Sequence, residues 1–345
     1  MRKTIKRILK IAGTSIIALI VATAIWFMSG EGVENPGNIT WGVTFFPKQA
    51  TDLGLNWREV YISLLDDMKV RNLRLAAPWN VIEKDRGYYN FSDIDWMLAE
   101  AGKRDARVLL AVGRKLFRWP ECHDPLWAIE LKDMSIESSA LEFLAQSVSH
   151  FKDYDNIIAW QVENEPNFPF GECAEPVPNK EFFKEEVALV RSIDSTRPIV
   201  STDSGELASW LSFSGEVDKL GVSLYRVTEN PRFGRFYYPM RPGFYQKKTK
   251  LVQAINSNVQ EVFLSELQLE PWAVKPLQEM TLKEQFKSMN LSRTLSTIEY
   301  AKRTGFDEIY IWGVEWWYWL MQTHKDDRFW EVGKSLMNNN SSSSG

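Results

Sequence analysis

Two glutamates stand where a carboxylate could do chemistry. One closes the run Trp160-Gln161-Val162-Glu163-Asn164-Glu165-Pro166-Asn167, where an apolar strand-like segment ends in an acid and Pro166 stops the strand. The other closes Phe263-Leu264-Ser265-Glu266-Leu267. Cleavage of a glycosidic bond needs this pair of groups: one carboxyl protonates the leaving oxygen, and the other attacks or stabilises the anomeric carbon. Glu165 and Glu266 are about 100 residues apart, which matches three strand-helix units of roughly 34 residues. Alternatives exist at each end. Glu163 shares a strand face with Glu165 by the period of two, but the flanking Asn164 and Pro166 favour Glu165. Glu261 begins the second run and Glu270 lies beyond its end, which favours Glu266.

Other chemistries have little to work with. The chain has three histidines (His123, His150, His324) and two cysteines (Cys122, Cys173), with none of the spacings that gather ligands around a metal. No metal or other cofactor is expected. A nucleophilic pair of Cys122 and His123 lacks a third orienting group. The net charge of -4 comes without a basic block beyond the first ten residues, so nucleic acid is not an expected partner. Fifteen tryptophans exceed what a core of this size needs, so some should face a ligand.

The elements that must hold the two acids follow from the apolar pattern. Short apolar runs alternate with helical stripes from Gly37 onward, which predicts an α/β fold, a (β/α)8 TIM barrel. Eight strands are expected: Ile39–Phe45, Asn72–Ala76, Arg107–Val112, Ile157–Val162, Ile199–Thr202, Leu220–Leu224, Val262–Ser265 and Ile309–Trp312. Glu165 and Glu266 then emerge after strands four and seven on the C-terminal rim, where barrel active sites lie. Tyr61, Leu64, Leu65 and Met68 form one helical stripe, and Leu141, Leu144, Val148 and Phe151 another. The Ser92-Asp93 step reads as a helix N-cap. Two connections are long, Gly113–Glu137 and Arg226–Phe244, and long loops in compact domains are usually functional.

Four segments are expected. Residues 1–30 read as a basic cytoplasmic stub with a signal-anchor transmembrane helix, because Arg2, Lys3, Lys6, Arg7 and Lys10 precede an uncharged stretch from 11 to 30. Trp26, Phe27 and Met28 stand where a cleavable signal would place small residues, which favours an uncleaved anchor over a secreted product. The positive cluster predicts that the rest of the chain lies outside the cytoplasm. A linker (31–37), the barrel (38–336) and a disordered polar tail (337–345) follow. Cys122 and Cys173 fall in loops after neighbouring strands and are expected to form a disulfide.

From about Asn38 to Trp330 the chain resembles clan A retaining glycoside hydrolases, on Asn164-Glu165-Pro166 after strand four and Glu266 at the end of strand seven. Leu73-Arg74-Leu75-Ala76-Ala77-Pro78-Trp79 leading to Glu83 and Gly87-Tyr88-Tyr89-Asn90-Phe91 is a run similar to families 5, 39 and 42. The resemblance implies Glu165 as acid/base, Glu266 as nucleophile, and a retaining mechanism with carboxyls roughly 5–5.5 Å apart. It further implies Arg74 beside the nucleophile, Tyr225 as its hydrogen-bond partner and Trp312 as the floor of the sugar site. Trp79, Asn164, His123, Glu315 and Trp316 complete the expected sugar-binding set. A carbohydrate substrate and the membrane are the expected partners of a monomer. A transglycosylase on the same site is the alternative within enzymes, and a non-catalytic sugar-binding barrel the alternative outside them.

Overall fold

The structure is a computed structural model that describes all residues except Met1, Asn35, 132–134, 174–178, 231, 233, 274 and 342–345. Among the described residues ten strands are present: β1 Thr40–Thr44, β2 Asn72–Ala76, β3 Arg107–Val112, β4 Ile157–Val162, β5 Ile199–Asp203, β6 Lys219–Leu224, β7 Val227–Asn230, β8 Gly234–Tyr237, β9 Glu261–Gln268 and β10 Glu308–Trp312. Eight of them close a barrel in the order β1-β10-β9-β6-β5-β4-β3-β2, with every pairing parallel. The expected α/β barrel is therefore present, and its strands match the expected runs to within a few residues.

Burial explains why the runs are continuous rather than alternating. Helices cover the outside of the sheet, and side chains of the opposite set fill the bore, so each strand is buried on both faces. Leu109, Ala159, Val200, Phe263 and Tyr310 form one small internal cluster, and Phe46, Ala76, Ala111, Leu116, Phe117 and Trp312 form another. The large cluster lies between sheet and helices and holds Tyr61, Leu64, Leu144, Val148 and Phe151 from the predicted stripes.

The differences are local. The connection Arg226–Phe244 contains the antiparallel hairpin β7–β8, which pairs Val227 with Tyr237 and Asn230 with Gly234. Strand β9 runs to Gln268, past the expected Ser265, so Glu270 falls just beyond the rim. The helix expected to be capped at Ser92 begins there, and the Asn90 side chain accepts from the Ser92 backbone N–H at 3.1 Å. The last helix, Arg328–Ser341, continues into the segment expected to be a disordered tail, carried on by packing of Leu336 and Met337; 342–345 lie outside the described residues.

The expected anchor forms a helix, Arg2–Met28. Among the described residues, no helix is long and apolar enough to cross a membrane. The side chains at positions 11 and 20 of the expected span lie outside the described residues. The end of this helix is tied to the barrel. Lys247 Nζ donates to the Ser29 carbonyl at 2.6 Å and sits 4.4 Å from the Trp26 ring centre. Glu31 pairs with Arg241 and Arg303, and the Val33 N–H donates to the Arg303 carbonyl.

Candidate active site

Glu165 and Glu266 line one cavity of about 1400 Å³ at the C-terminal rim. Asn164, Tyr225 and Trp312 line it too. Of the expected set, these five residues meet at the cavity.

Glu266 belongs to β9 and is almost wholly buried, so its charge needs partners. Arg74 Nη1, from β2, donates to Glu266 Oε1 at 2.9 Å, and the Tyr225 hydroxyl donates to Oε2 at 2.9 Å. Arg74 itself is fully buried behind the cavity, with Nε on Gln161 Oε1 at 2.7 Å and Nη2 on Asn164 Oδ1 at 2.6 Å. A planar guanidinium with three fixed acceptors leaves Glu266 little freedom to turn. Burial and the neighbouring carboxyls of Glu266 and Glu165 push the Tyr225 phenol well above its ordinary range, so it remains a donor.

Glu165 meets different surroundings. Its Oε1 accepts from the Ser223 hydroxyl at 2.9 Å, and its backbone N–H donates to Thr202 Oγ1 at 2.9 Å. Burial raises its pKa well above the usual carboxylate range, and the charges of Glu266 and Glu121 raise it further against the opposing pull of Lys115. One carboxyl thus sits against a cation and the other against anions. Such a pair separates into base and acid.

Glu163 is placed elsewhere. Both glutamates leave β4 in the left-handed region, with φ of 58° at Glu163 and 44° at Glu165, so strand alternation ends before it can decide which one faces the cavity. The Glu163 carboxylate turns toward the β3 loop, accepting from the Arg114 N–H at 2.6 Å and the Lys115 N–H at 2.7 Å. Gly113 (φ 126°) makes room for it: a Cβ there would lie 2.4 Å from Glu163 Oε1. Gly313 (φ 116°) does the same for Glu270 at the end of β10, where a Cβ would lie 2.4 Å from the Glu270 Cβ.

The β3 loop crosses the mouth. Arg118 pairs with Glu270 and, at 3.1 Å, with Glu315, and its guanidinium carbon lies 3.9 Å from the Trp312 ring centre. Glu315 is fully buried and also accepts from the Phe46 N–H at 2.8 Å, so it holds Arg118 rather than lining the cavity. Cys122 and Cys173 are joined by a disulfide that fastens this loop to the one after β4.

Besides Glu315, three more expected ligands of sugar lie away from the cavity. Trp79 is fully buried, donates to Glu83 Oε2 at 2.7 Å and stacks on Phe143, because the helix that starts there turns its ring inward. Trp316 donates to Gln285 Oε1 and packs on Phe329, on the inner face of the helix Val314–His324. His123 is buried against Phe46 and is kept neutral by desolvation, its pKa lowered to about 4. The cavity instead recruits residues from the loops: Arg118, Trp119, Glu121, Phe168, Phe170, Glu270 and Trp272. The length of the Gly113–Glu137 connection was the signal in the sequence for Arg118, Trp119 and Glu121, while Phe168, Phe170, Glu270 and Trp272 lie outside both long connections.

No family model and no curated protein sequence matches the chain. Solved structures do. A cold-adapted β-galactosidase from Rahnella sp. R3 has a TM-score of 0.58 at 12% identity, covering 91% of this chain. This chain spans 57% of that enzyme's length. A GH5_18 protein from Bifidobacterium longum in complex with Manβ1-4GlcNAc gives 0.56 at 10% identity, covering 80% of this chain and 69% of the other. One from Streptomyces cattleya with the same disaccharide gives 0.52 at 14%, covering 80% and 71%. The fold is that of the clan A (β/α)8 glycoside hydrolases.

Proposed function

We propose that this chain is a retaining β-glycoside hydrolase, cleaving the β-O-glycosidic bond of an oligo- or polysaccharide outside the cytoplasm. The observation that carries this reading is the contrast between two carboxyls in one cavity: Glu266 held by Arg74 and Tyr225, and Glu165 kept protonated by burial and neighbouring anions. Glu266 attacks the anomeric carbon as Glu165 gives its proton to the departing oxygen. Glu165, now a base, takes a proton from water, which displaces Glu266 and restores both groups. NMR of the first sugar released from an aryl β-glycoside tests the reading. A β-anomer is expected, and an α-anomer means inversion and overturns it.

The proposal includes a membrane anchor. Its support is the basic cluster before the uncharged stretch 11–30 and a disulfide, which persists in oxidising compartments. The full-length protein should sediment with membranes and resist salt extraction. Recovery from the medium with a new N-terminus near residue 30 overturns the anchor.

A further inference from the structure

We propose that Glu186, on the helix Lys180–Ile193, is a positioning residue for the acid Glu165: its carboxyl shares one proton with that of Glu163, and this proton fixes the turn from which Glu165 projects. The proposal rests on the hydrolase reading and adds to it a residue outside the cavity on which the acid step depends.

An acidic side chain is out of place where Glu186 stands. It lies one turn from Phe182 and one turn from Val190 on the inner face of its helix and is 1% exposed. Among the described residues, neither of its carboxyl oxygens accepts a hydrogen bond. What it meets is the carboxyl of Glu163, side chain to side chain within hydrogen-bonding reach. Two ionised carboxylates offer only acceptors, so a contact between them needs a proton. Glu163 already accepts from the Arg114 and Lys115 backbone N–H groups, which favours its ionised form, whereas Glu186 has no such donors and keeps the proton. Burial, and then the charge of Glu163, raise the Glu186 pKa well above the usual carboxylate range. Glu137, on the neighbouring helix Ile136–Phe151, adds to this. The Arg114 guanidinium pulls the other way, but Asp124 engages it through two hydrogen bonds of 2.9 Å.

The effect reaches the acid through the backbone. Glu163 holds the amides of residues 114 and 115, one on each oxygen. The Lys115 carbonyl in turn accepts from the Asn164 N–H at 2.6 Å, and Lys115 Nζ donates to the carbonyls of Glu165 and Phe168 at 2.9 and 2.8 Å. The ends of β3 and β4 are thereby laced together around residues 163 to 165. Two of those three residues sit in the left-handed region, a backbone that persists only where its surroundings over-determine it. The proton on Glu186 gives the Glu163 carboxylate a third fixed contact. A negative charge in its place would drive the two buried carboxyls apart and loosen both amides.

The test separates positioning of the acid from general support of the fold. In the detergent-solubilised full chain, kcat/KM is measured on aryl β-glycosides of galactose, glucose and mannose whose phenols leave either poorly or very well. Only the poor leaving groups need the Glu165 proton. Glu186→Leu fills the space without a donor and should slow the poor leaving groups roughly tenfold or more, and the good ones much less. Glu186→Gln, whose amide N–H still donates to Glu163, should restore most of that loss. At neutral pH the infrared difference spectrum between wild type and Glu186→Gln should contain the C=O stretch of a protonated carboxyl. That measurement needs no substrate and stands even where Glu186→Leu does not fold. Absence of the band, or equal turnover changes for both leaving-group classes in folded Glu186→Leu, overturns the proposal and leaves the hydrolase reading in place. A folded wild type inert on every aryl glycoside overturns the hydrolase reading, and the positioning role with it.

Discussion

The guanidinium of Arg118 lies over the indole of Trp312, 3.9 Å from its centre, so a loop from the third barrel strand braces the end of the eighth. The same guanidinium carries Glu270 and Glu315, both buried. Removing it leaves two buried carboxylates without their cation. Arg118→Ala should therefore cost about 3–5 kcal/mol of stability, read as a lowered denaturant midpoint, and Arg118→Lys should recover only part of it.

The two acids should fail in different ways. Glu266→Ala should abolish turnover of every substrate, and added azide should restore it by attacking the β-glycoside directly to give the α-azide. Glu165→Ala should slow substrates that need protonation by about 10²–10⁴-fold and spare the first step for those with very good leaving groups. Azide should then intercept the glycosyl-enzyme and give the β-azide. Identical azide products from the two variants contradict this division of labour.

Glu121 adds a charge effect that can be read on its own. Its own pKa is pushed up to about 7 by burial, and its charge raises that of Glu165. Glu165 is also faced by Glu266 on β9, Tyr225 after β6 and Lys115 on the β3 loop. Glutamine at 121 removes an anion and frees Lys115 to act on Glu165, and both changes favour the ionised form. The acid then loses its proton at lower pH, so the alkaline limb of kcat/KM should move to lower pH. A merely structural role predicts a lower plateau with both limbs in place.

The disulfide joins cysteines 51 positions apart in the sequence. Cys122→Ser/Cys173→Ser should lose about 2–4 kcal/mol, measured by chemical unfolding, and dithiothreitol should lower the wild-type melting temperature but not that of the double variant.

The barrel was legible in the sequence because strands buried on both faces show as unbroken apolar runs, as at Arg107–Val112 and Ile157–Val162. Strand ends fix depth along the barrel axis, which is why Glu165 and Glu266 could be placed on one rim. Direction is another matter. Trp79 and Trp316 lie just past strand ends, yet each starts or joins a helix whose inward face takes the ring, a choice made by packing partners distant in sequence. Glu163 and Glu165 are separated by a left-handed turn that strand periodicity does not foresee. The hairpin β7–β8 stayed hidden among arginines and aromatics in a stretch without alternation.

The space beneath the Glu163 carboxylate has a bearing on how this chain could change over generations. At position 113 any side chain would collide with the acid that orders the β3 loop, and a shorter acid at 163 would release the amides of residues 114 and 115. Neither position is free to drift while the other stays. The pair behaves as a single inherited character. In any lineage that kept this rim, the glycine and its glutamate should be retained together or lost together, whatever becomes of the sugar specificity around them.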